Sequence, residues 1–438
     1  MKNYKEENVV IVGLGVTGLS CVYFFLRRGI IPRVMDTRLI PPNLNRLPPE
    51  VPRCLGFLHI PWLFEATLIV TSPGISLSHP ALAAVSSSGI PIVGDIELFA
   101  HEVSAPVIAI TGSNGKSTVI HMLEKMIGVN WNVGVGGNTG VPALNLLDLP
   151  FEIYLLELSS FQLETTHNLK LTAATVLNIT EDHMNRYPHG FQQYRTTKLK
   201  IYKNAMICIV NAEDIFTLPI NKNNSRYISF GRKQGDYFLK QHKGQIWLMA
   251  YGEQILNTAE LRIVGQHNYM NALAALAIAD AVGISRESSL SGLLQCQGLA
   301  HRFELIHEQS GVRWINDSKA TNVGSTLAAL NGVEVTGTLH LIMGGDSKCA
   351  DLTPLIPWLK NTKIHLYCFG QDRKRLSALR LDATTLTKTL EEIMYIVGSR
   401  VRQGDVVLLS PGCASLDQFT NFEARGQVFS QLAREVSR

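Results

Sequence analysis

Short apolar runs recur along the chain, each closed by glycine or polar residues and followed by a stretch of helical spacing. "NVVIVGLG", "PRVMDTR" and "TLIVTSPG" form a first set. After "GIPIVGDIELFAHEVSAP" the rhythm restarts with "VIAIT", "IYLLELS", "AATVLNIT" and "MICIVN", which places a boundary near Gly94. A third set, "VRWINDSKATN", "LHLIMGGDSK", "IHLYCFGQD" and "DVVLLSPGCASLDQF", predicts a C-terminal α/β region from near Leu299. This is βαβ punctuation, and it predicts parallel sheets with loops gathered at the carboxyl ends of the strands. Between the second and third sets, the polar alternating stretch from Arg226 to Leu256 reads as antiparallel hairpins. "HNYMNALAALAIADAVG" then carries strong helix formers, with Gly283 as a stop. The chain is therefore expected to divide into residues 1–94, 95–298 and 299–438, with no repeat at solenoid spacing and no low-complexity tract.

Composition agrees with that division. With 438 residues, 46% of them hydrophobic, the chain can bury a large core, and usual domain sizes suggest two to four domains, three being the working number. A net charge of +4 without a long basic run argues against a nucleic-acid binder and leaves room for a small anionic ligand. Seven widely spaced cysteines, an odd number with no CxxC pair, suggest neither a disulfide framework nor a zinc site; they read as reduced, mostly buried thiols. The uncharged run Val9 to Leu26 is long enough to raise a membrane question, but three glycines at turn spacing make it strand, turn and helix. No signal-peptide pattern follows "MKNYKEEN", so a cytoplasmic protein without membrane insertion is expected.

"VIAITGSNGKSTVI" carries the strongest chemistry. A strand entering a glycine-rich turn and then a helix collects backbone N–H groups and a positive helix end around one point. Lys116 adds a charge suited to β and γ phosphates, and Ser117 or Thr118 can offer a hydroxyl to Mg²⁺. Ile110 stands where the usual P-loop has its first glycine, so Gly112, Asn114 and Gly115 make a shorter turn. An ordinary βα turn with a surface lysine is the alternative. A second glycine turn, Gly13, Gly15 and Gly18 followed by Asp36, has the form of a dinucleotide fingerprint. It is equally a structural turn or a site for a nucleotide diphosphate other than NAD, with Thr37 and Arg38 able to reach uracil, ribose or phosphate.

Taken in order, "GLGVTG", "SPGI", "TGSNGKST", "LELSSFQLE", "LNITEDHMNRY", "KLKIY", "GQHNYMNALAA", "HRFE", "NDSKATN", "GGDSK" and "LSPGCASLDQF" make the chain resemble the Mur ligase family, and its D-glutamate-adding branch in particular. The resemblance runs over nearly the whole chain. It implies a Rossmann-like N-terminal domain that binds the UDP substrate, a central P-loop-type ATPase domain with a small antiparallel sheet, and a Rossmann-like C-terminal domain that binds the amino acid. It also implies a monomer that uses ATP and Mg²⁺, with two ions expected, to join D-glutamate to UDP-N-acetylmuramoyl-L-alanine. The carboxylate is first phosphorylated, and the amine then attacks the acyl phosphate through a tetrahedral intermediate, so that catalysis is mostly positioning and charge neutralisation.

The same resemblance assigns residues. Gly15, Val16 and Thr17, Thr37 and Arg38, and Ser72 and Gly74 belong to the UDP-substrate site. Glu157, ending an apolar strand, takes Mg²⁺ with Ser117; a strand-end surface carboxylate is the alternative. His183 helps hold a second metal and contacts substrate, although a lone histidine is more often structural. Lys198 reads from sequence alone as part of a solvated basic face with Arg195, Lys200 and Lys203, whereas the resemblance implies a carbamylated lysine supporting the second Mg²⁺. Asn138 addresses the muramoyl group or is a plain turn residue; Asn268 and Asn271, three apart on a helix, address adenine or ribose, with capping as the competing role of Asn268. Arg302 and Asp317 match γ-phosphate and ribose contacts. Lys319, Thr321, Lys348, Ser415, Leu416 and Phe422 make up the amino-acid site, where two cations and two hydroxyls suit the two carboxylates of glutamate. Lys348 is the favoured carboxylate partner, a solvated lysine the alternative. The Asp-Asn-Pro-Arg motif of the diaminopimelate-adding relatives is missing.

Three other readings compete. An NAD-dependent dehydrogenase would rest on the first glycine turn and Asp36, and a nucleotide-operated switch would bind ATP without making a covalent product. A folylpolyglutamate synthetase lies closer, but the N-terminal fingerprint domain argues against it.

Overall fold

A computed structural model describes residues 4–220, 225–263 and 265–436. Each of the apolar runs becomes a strand, and three separate sheets result. The first has the order Arg53–Leu55, Arg33–Asp36, Val9–Val12, Leu68–Thr71, Ile92–Val93, with every pair parallel. All four residues of Val9–Val12 are buried, as expected for a central strand covered on both faces. The strand order reverses beside it, so the turn after Val12 and the turn after Thr71 face one crevice, the usual place for a ligand in a doubly wound sheet. Ser72 N donates to Val12 O at 2.8 Å and Ser72 Oγ to Gly13 O at 2.9 Å, tying the two turns together.

The second sheet has nine strands, in the order Glu253–Asn257, Gln245–Ala250, Tyr237–His242, Arg226–Gly231, Ala205–Asn211, Leu171–Val176, Val107–Thr111, Ile153–Glu157, Val133–Gly137. The stretch from Arg226 to Leu256, expected to form antiparallel hairpins, departs from that reading at its start. Arg226–Gly231 pairs parallel to both neighbours, and only the ladders from Tyr237–His242 onward are antiparallel. The small antiparallel part thus prolongs the parallel sheet, entering it through the parallel pairing of Phe230 with Tyr237 and of Gly231 with Phe238. The helix Gln266–Ala281 follows as expected, and Gly283 takes φ +83° just beyond it.

The third sheet runs Glu304–Gln309, Val312–Asn316, Val406–Leu409, Leu339–Gly344, Ile364–Phe369, Thr384–Leu386, parallel except for its first pair. The alternation within its strands divides two cores. Leu341, Met343, Leu366 and Leu408 pack on one face with Leu330 and Leu376, while Ile342, Tyr367, Phe369 and Leu409 pack on the other with Ile393, Val397 and Phe429. The chain divides into two compact units. One comprises the chain up to Asn178, Tyr194–Glu260 and Met270–Gln295, and the other Ile179–Gln193, Leu261–Tyr269 and the chain from Cys296 onward. Among the described residues no helix is long and apolar enough to cross a membrane, and Val9 to Leu26 is indeed strand, turn and helix. The cysteines are free, five of them buried, with Cys54 partly covered and Cys349 exposed.

Candidate functional site

In the first unit the strand Val107–Thr111 leads through Gly112–Gly115 into the helix Lys116–Ile127, so the first N–H groups of the helix and its positive end meet at the turn. Gly115 has φ +87°, and a Cβ there would lie 2.5 Å from Asn271 Oδ1, so both the turn and the close approach of Asn271 require glycine. A reciprocal amide pair clamps the loop: Asn114 N donates to Asn178 Oδ1 at 2.9 Å, and Asn178 Nδ2 donates to Asn114 O at 3.0 Å. Lys116 Nζ donates to Gly112 O at 2.8 Å and Ser113 O at 3.1 Å, over the mouth of the turn. Thr118 lies partly buried one residue beyond Ser117.

Ile153–Glu157 runs beside this strand and delivers Glu157 to the loop. The Glu157 side chain is 4% exposed, which removes the surface-carboxylate alternative. One of its oxygens accepts from Ser117 Oγ at 2.6 Å, and the other from Asn138 Nδ2 at 3.1 Å and Thr139 Oγ1 at 2.9 Å. Burial works to raise the carboxyl, but the Lys116 charge and these donors outweigh it and hold Glu157 below the ordinary glutamate value. Lys198, on the helix Gly190–Leu199, is 2% exposed and so does not belong to a solvated basic face. Its Nζ donates to Gly112 O at 2.9 Å and lies 4.8 Å from the centre of the Tyr194 ring. The hydroxyl of Tyr194 and Ser113 Oγ are 2.9 Å apart. Lys116, Ser117, Glu157, Asn138, Lys198 and Asn271 are thereby brought around one turn.

The N-terminal glycine turn is also in this unit. Gly18 packs so closely that a Cβ would come 1.8 Å from Gly13 O, whereas nothing lies within 4 Å of a Cβ on Gly15. Val16 is exposed, Thr37 and Arg38 are exposed, and Gly74 is exposed beside Ser72. Asp36 is buried, and its oxygens accept from Leu14 N at 2.7 Å and from Arg38 N, Nε and Nη2 at 2.8, 2.9 and 2.7 Å. A carboxylate so engaged has little left for the ribose diol that an NAD fingerprint requires, and this weakens the dehydrogenase reading.

The second unit holds the remaining residues. Asp317, Lys319 and Thr321 follow Val312–Asn316, Lys348 follows Leu339–Gly344, and Ser415 and Leu416 follow Val406–Leu409, all at carboxyl ends of parallel strands. Lys319 Nζ sits 3.9 Å from the centre of the Phe422 ring. Ser415 is buried, while Leu416 is 74% exposed. Lys348 is 8% exposed, which removes the solvated-lysine alternative, and its Nζ donates to Asp182, which also accepts from Asn322 Nδ2 at 3.2 Å. Burial works to raise the Asp182 carboxyl, but Lys348, His183 and Asn322 outweigh it and bring it down to about 2. His183 Nε2 lies 3.6 Å from Asp182 Oδ2. Asp317 accepts from Phe303 N at 3.1 Å and Ser410 Oγ at 2.8 Å, and burial pushes its carboxyl up to about 7. Non-glycine residues with positive φ, His183, His301, Phe303 and Lys348, flank or coincide with these positions, including Arg302 between His301 and Phe303. Asn268 lies in the first turn of Gln266–Ala281, its N–H donating to Gly265 O at 2.9 Å.

Sequence reasoning missed Asn178, Asp182, Tyr194, Asn322 and Arg425. Asn178 and Asp182 stand at the end of an apolar strand in "LNITED", a visible if weak signal, whereas Arg425 sits in a helix that reads as amphipathic surface. Among the described residues no group of three or more His, Cys, Asp or Glu is arranged to hold a metal.

Three family models match the chain: the N-terminal domain of MurD-like Mur ligases at residues 7–94, the Mur ligase middle domain at 110–279, and the Mur ligase glutamate ligase domain at 301–413. Over 437 residues and 100% of both chains, the chain is 66% identical to the UDP-N-acetylmuramoylalanine--D-glutamate ligase of Sodalis glossinidius. It is 58% identical over the same span to the enzyme of that name from Escherichia coli K12. Solved structures share the fold at low identity. MurF of Acinetobacter baumannii gives a TM-score of 0.64 at 18% identity, covering 99% of this chain and 93% of that one. The UDP-N-acetylmuramate-alanine ligase MurC of Thermotoga maritima gives 0.62 at 16%, covering 99% and 100%. With three family models along its length and full-length identity of this order to such ligases, and with a glycine loop, a neighbouring strand-end glutamate and three α/β sheets, the chain belongs to the Mur ligase family.

Proposed function

We propose that the chain is an ATP-dependent ligase that adds D-glutamate to UDP-N-acetylmuramoyl-L-alanine during peptidoglycan precursor synthesis, acting as a monomer in the cytoplasm. Full-length identity of 58–66% to ligases with this substrate pair carries the assignment. In the structure, the contact between Ser117 and Glu157 supports it best, because a hydroxyl and a carboxylate share the mouth of a phosphate loop. In this reading residues 1–94 bind the UDP substrate, 95–298 bind ATP and 299–438 bind the amino acid.

The residues present fit Mg²⁺: Glu157 and Ser117 offer only oxygen, the donor a hard cation prefers, and phosphate oxygens and water would complete its shell. Bound there, the ion would neutralise charge on the phosphates. Lys116 moves from its loop carbonyls to the β and γ phosphates and offsets the charge that builds on the transferred group. The L-alanine carboxylate oxygen attacks γ-phosphorus and ADP leaves; the glutamate nitrogen then attacks the acyl carbon, loses a proton, and phosphate departs. Asn138 orients the muramoyl group, and Gly15, Val16, Thr17, Thr37, Arg38, Ser72 and Gly74 hold its UDP end. Asn268, Asn271 and Asp317 address the adenosine, and Arg302 the γ-phosphate. Lys319, Thr321, Lys348, Ser415, Leu416 and Phe422 receive glutamate, while His183 serves substrate and metal. Carbamylation of Lys198 would turn a buried cation into an anion suited to a second Mg²⁺. Carbon-13 NMR of the protein under labelled CO₂ tests this directly, since a carbamate signal missing in Lys198→Ala assigns it.

Phosphate release from ATP and Mg²⁺ tests the whole reading. Release that requires both UDP-N-acetylmuramoyl-L-alanine and D-glutamate, and that fails with L-glutamate or meso-diaminopimelate, is expected. Release indifferent to both substrates would instead leave a nucleotide hydrolase or switch.

A further inference from the structure

We propose that Arg425 is a positioning residue for the amino-acid site, one buried guanidinium fixing together the three loops that carry Lys319 and Thr321, Lys348, and Ser415. The proposal rests on the assignment of those residues to glutamate. Arg425 lies in the first turn of the helix Phe422–Val436, yet it is fully buried. Its Nε donates to Ser318 Oγ at 3.0 Å and its Nη2 to Ser318 O at 2.7 Å, on the loop after Val312–Asn316. Its Nη1 donates to Gly344 O at 3.2 Å, where the Lys348 loop begins, and to Cys413 O at 3.1 Å, two residues before Ser415. The planar fork of a guanidinium can serve carbonyls in three directions at once, which an ammonium on a flexible stem cannot. Burial lowers its pKa to about 10, so it still carries its charge at neutrality.

The same helix start reinforces the arrangement. Ser318 Oγ, which accepts from Arg425, donates to Phe422 O at 2.8 Å, and the Phe422 ring carries Lys319. One residue on, a Cβ on Gly426 would come 2.4 Å from His301 Nδ1, so the helix can approach the His301 turn only because glycine stands there. Asn316 Nδ2 bridges the two, 2.9 Å from Gly426 O and 3.0 Å from His301 Nδ1. The loops meet through few backbone bonds, a reciprocal pair between Asp346 and Ala414 at 3.0 and 2.7 Å and Gly412 N donating to Ala320 O at 2.8 Å, and Arg425 adds a side chain that reaches all three, the common anchor that a ligand spanning them needs. Arg425 touches none of the assigned glutamate contacts by itself; it acts through the loop backbones.

The test uses the full-length protein with Arg425→Ala, Arg425→Lys and Ser318→Ala. For Arg425→Ala, KM for D-glutamate should rise about tenfold or more while KM for ATP moves less than about threefold. Arg425→Lys should share most of that loss. Millimolar guanidinium, but not an equal concentration of potassium, should restore glutamate affinity to Arg425→Ala by refilling the fork. Hydrogen exchange should speed up together in residues 317–322, 345–349 and 412–416 and slow again with guanidinium. If Arg425→Ala does not fold, Ser318→Ala, which keeps every carbonyl acceptor, should show the same KM asymmetry at about two- to threefold. Equal changes in both KM values, an unchanged glutamate KM, or loops whose exchange does not respond would overturn the proposal. Wild-type protein with no glutamate-dependent turnover would fault the functional reading instead, and the exchange measurement would still decide whether Arg425 holds the loops.

Discussion

The glycine loop of the first unit, proposed for phosphate, and the strand-end loops of the second, proposed for the amino acid, hold their polar groups still by different means. The glycine loop takes its backbone from one short stretch, Gly112, Gly115 and the helix end that follows, and is completed by Asn178 and Glu157 from neighbouring strand ends. The amino-acid loops are held by side chains far away in sequence. Arg425 reaches back 107 residues to Ser318, Asn322 reaches 140 residues to Asp182, and Lys348 reaches 166 residues to the same carboxylate. A loop made of backbone tolerates little change at its glycines and takes neutral amide support from Asn178, whereas a loop held by buried charge depends on each distant partner.

The comparison is sharpest at Lys116, the single side chain proposed to serve the transferred phosphate. Lys116→Ala should lower turnover by roughly a thousandfold or more without unfolding the protein, since the ammonium is aimed at developing charge. Steady-state kinetics beside a melting curve check this, and near-normal turnover would remove the phosphate-loop assignment.

Asp182→Asn comes next, and there the second unit should suffer in stability. Burial raises the Asp182 carboxyl and Lys348 more than offsets it, so the folded value near 2 lies below the unfolded one. That contribution is present above the unfolded value near 4, is lost as pH falls through about 2, and amounts to about 2 kcal/mol. With the carboxylate gone, Lys348 is left buried without its counter-charge, so the total cost should be about 3 kcal/mol and the melting temperature should fall by roughly 5–10 °C. An unchanged melting temperature at neutral pH would show that Lys348 finds another partner.

Smaller effects follow. Burial holds the Asp317 carboxyl near 7, above its unfolded value, so the folded protein keeps a proton there that is lost as pH rises through neutrality. The associated stability is full below about 4 and is given up through about 7. If Asp317 accepts from the ribose as a carboxylate, KM for ATP in the wild type should improve about threefold between pH 6 and 8, and in Asp317→Asn it should stay flat. A variant with the same pH profile as the wild type would exclude Asp317 as its source. Smallest is Gly15→Ala. Nothing in the protein lies near the added methyl, so stability should change by less than about 0.5 kcal/mol. If the UDP substrate passes against this backbone its KM should nevertheless rise several-fold, and an unchanged KM would place the diphosphate elsewhere.

Much of the molecule could be read beforehand because it depends on local geometry. Alternating and continuous apolar runs decide which segments are strands, and a glycine-rich turn before a helix announces an anion site whatever surrounds it. The parallel entry of Arg226–Gly231 into the nine-stranded sheet was not legible, because pairing direction is set by the partner strand and not by the alternation within one. The residues alone read Lys198 as part of a solvated basic face and left a solvated Lys348 open as the alternative to a carboxylate partner, for a related reason. Sequence carries their charge but not their burial, and only the packed chain encloses them at 2% and 8% exposure beside Gly112 O and Asp182.

Residue order alone was enough for the three sets of α/β strands, the lysine loop and the resemblance that names its chemistry, since spacing and residue type fix these over a few residues at a time. Tertiary structure alone decided that Asn178 clamps the loop, that Asp182 neutralises Lys348, and that Arg425 joins three strand ends. The physical reason is that a buried polar group must find its partner wherever the fold brings one, and sequence separation says nothing of where that is.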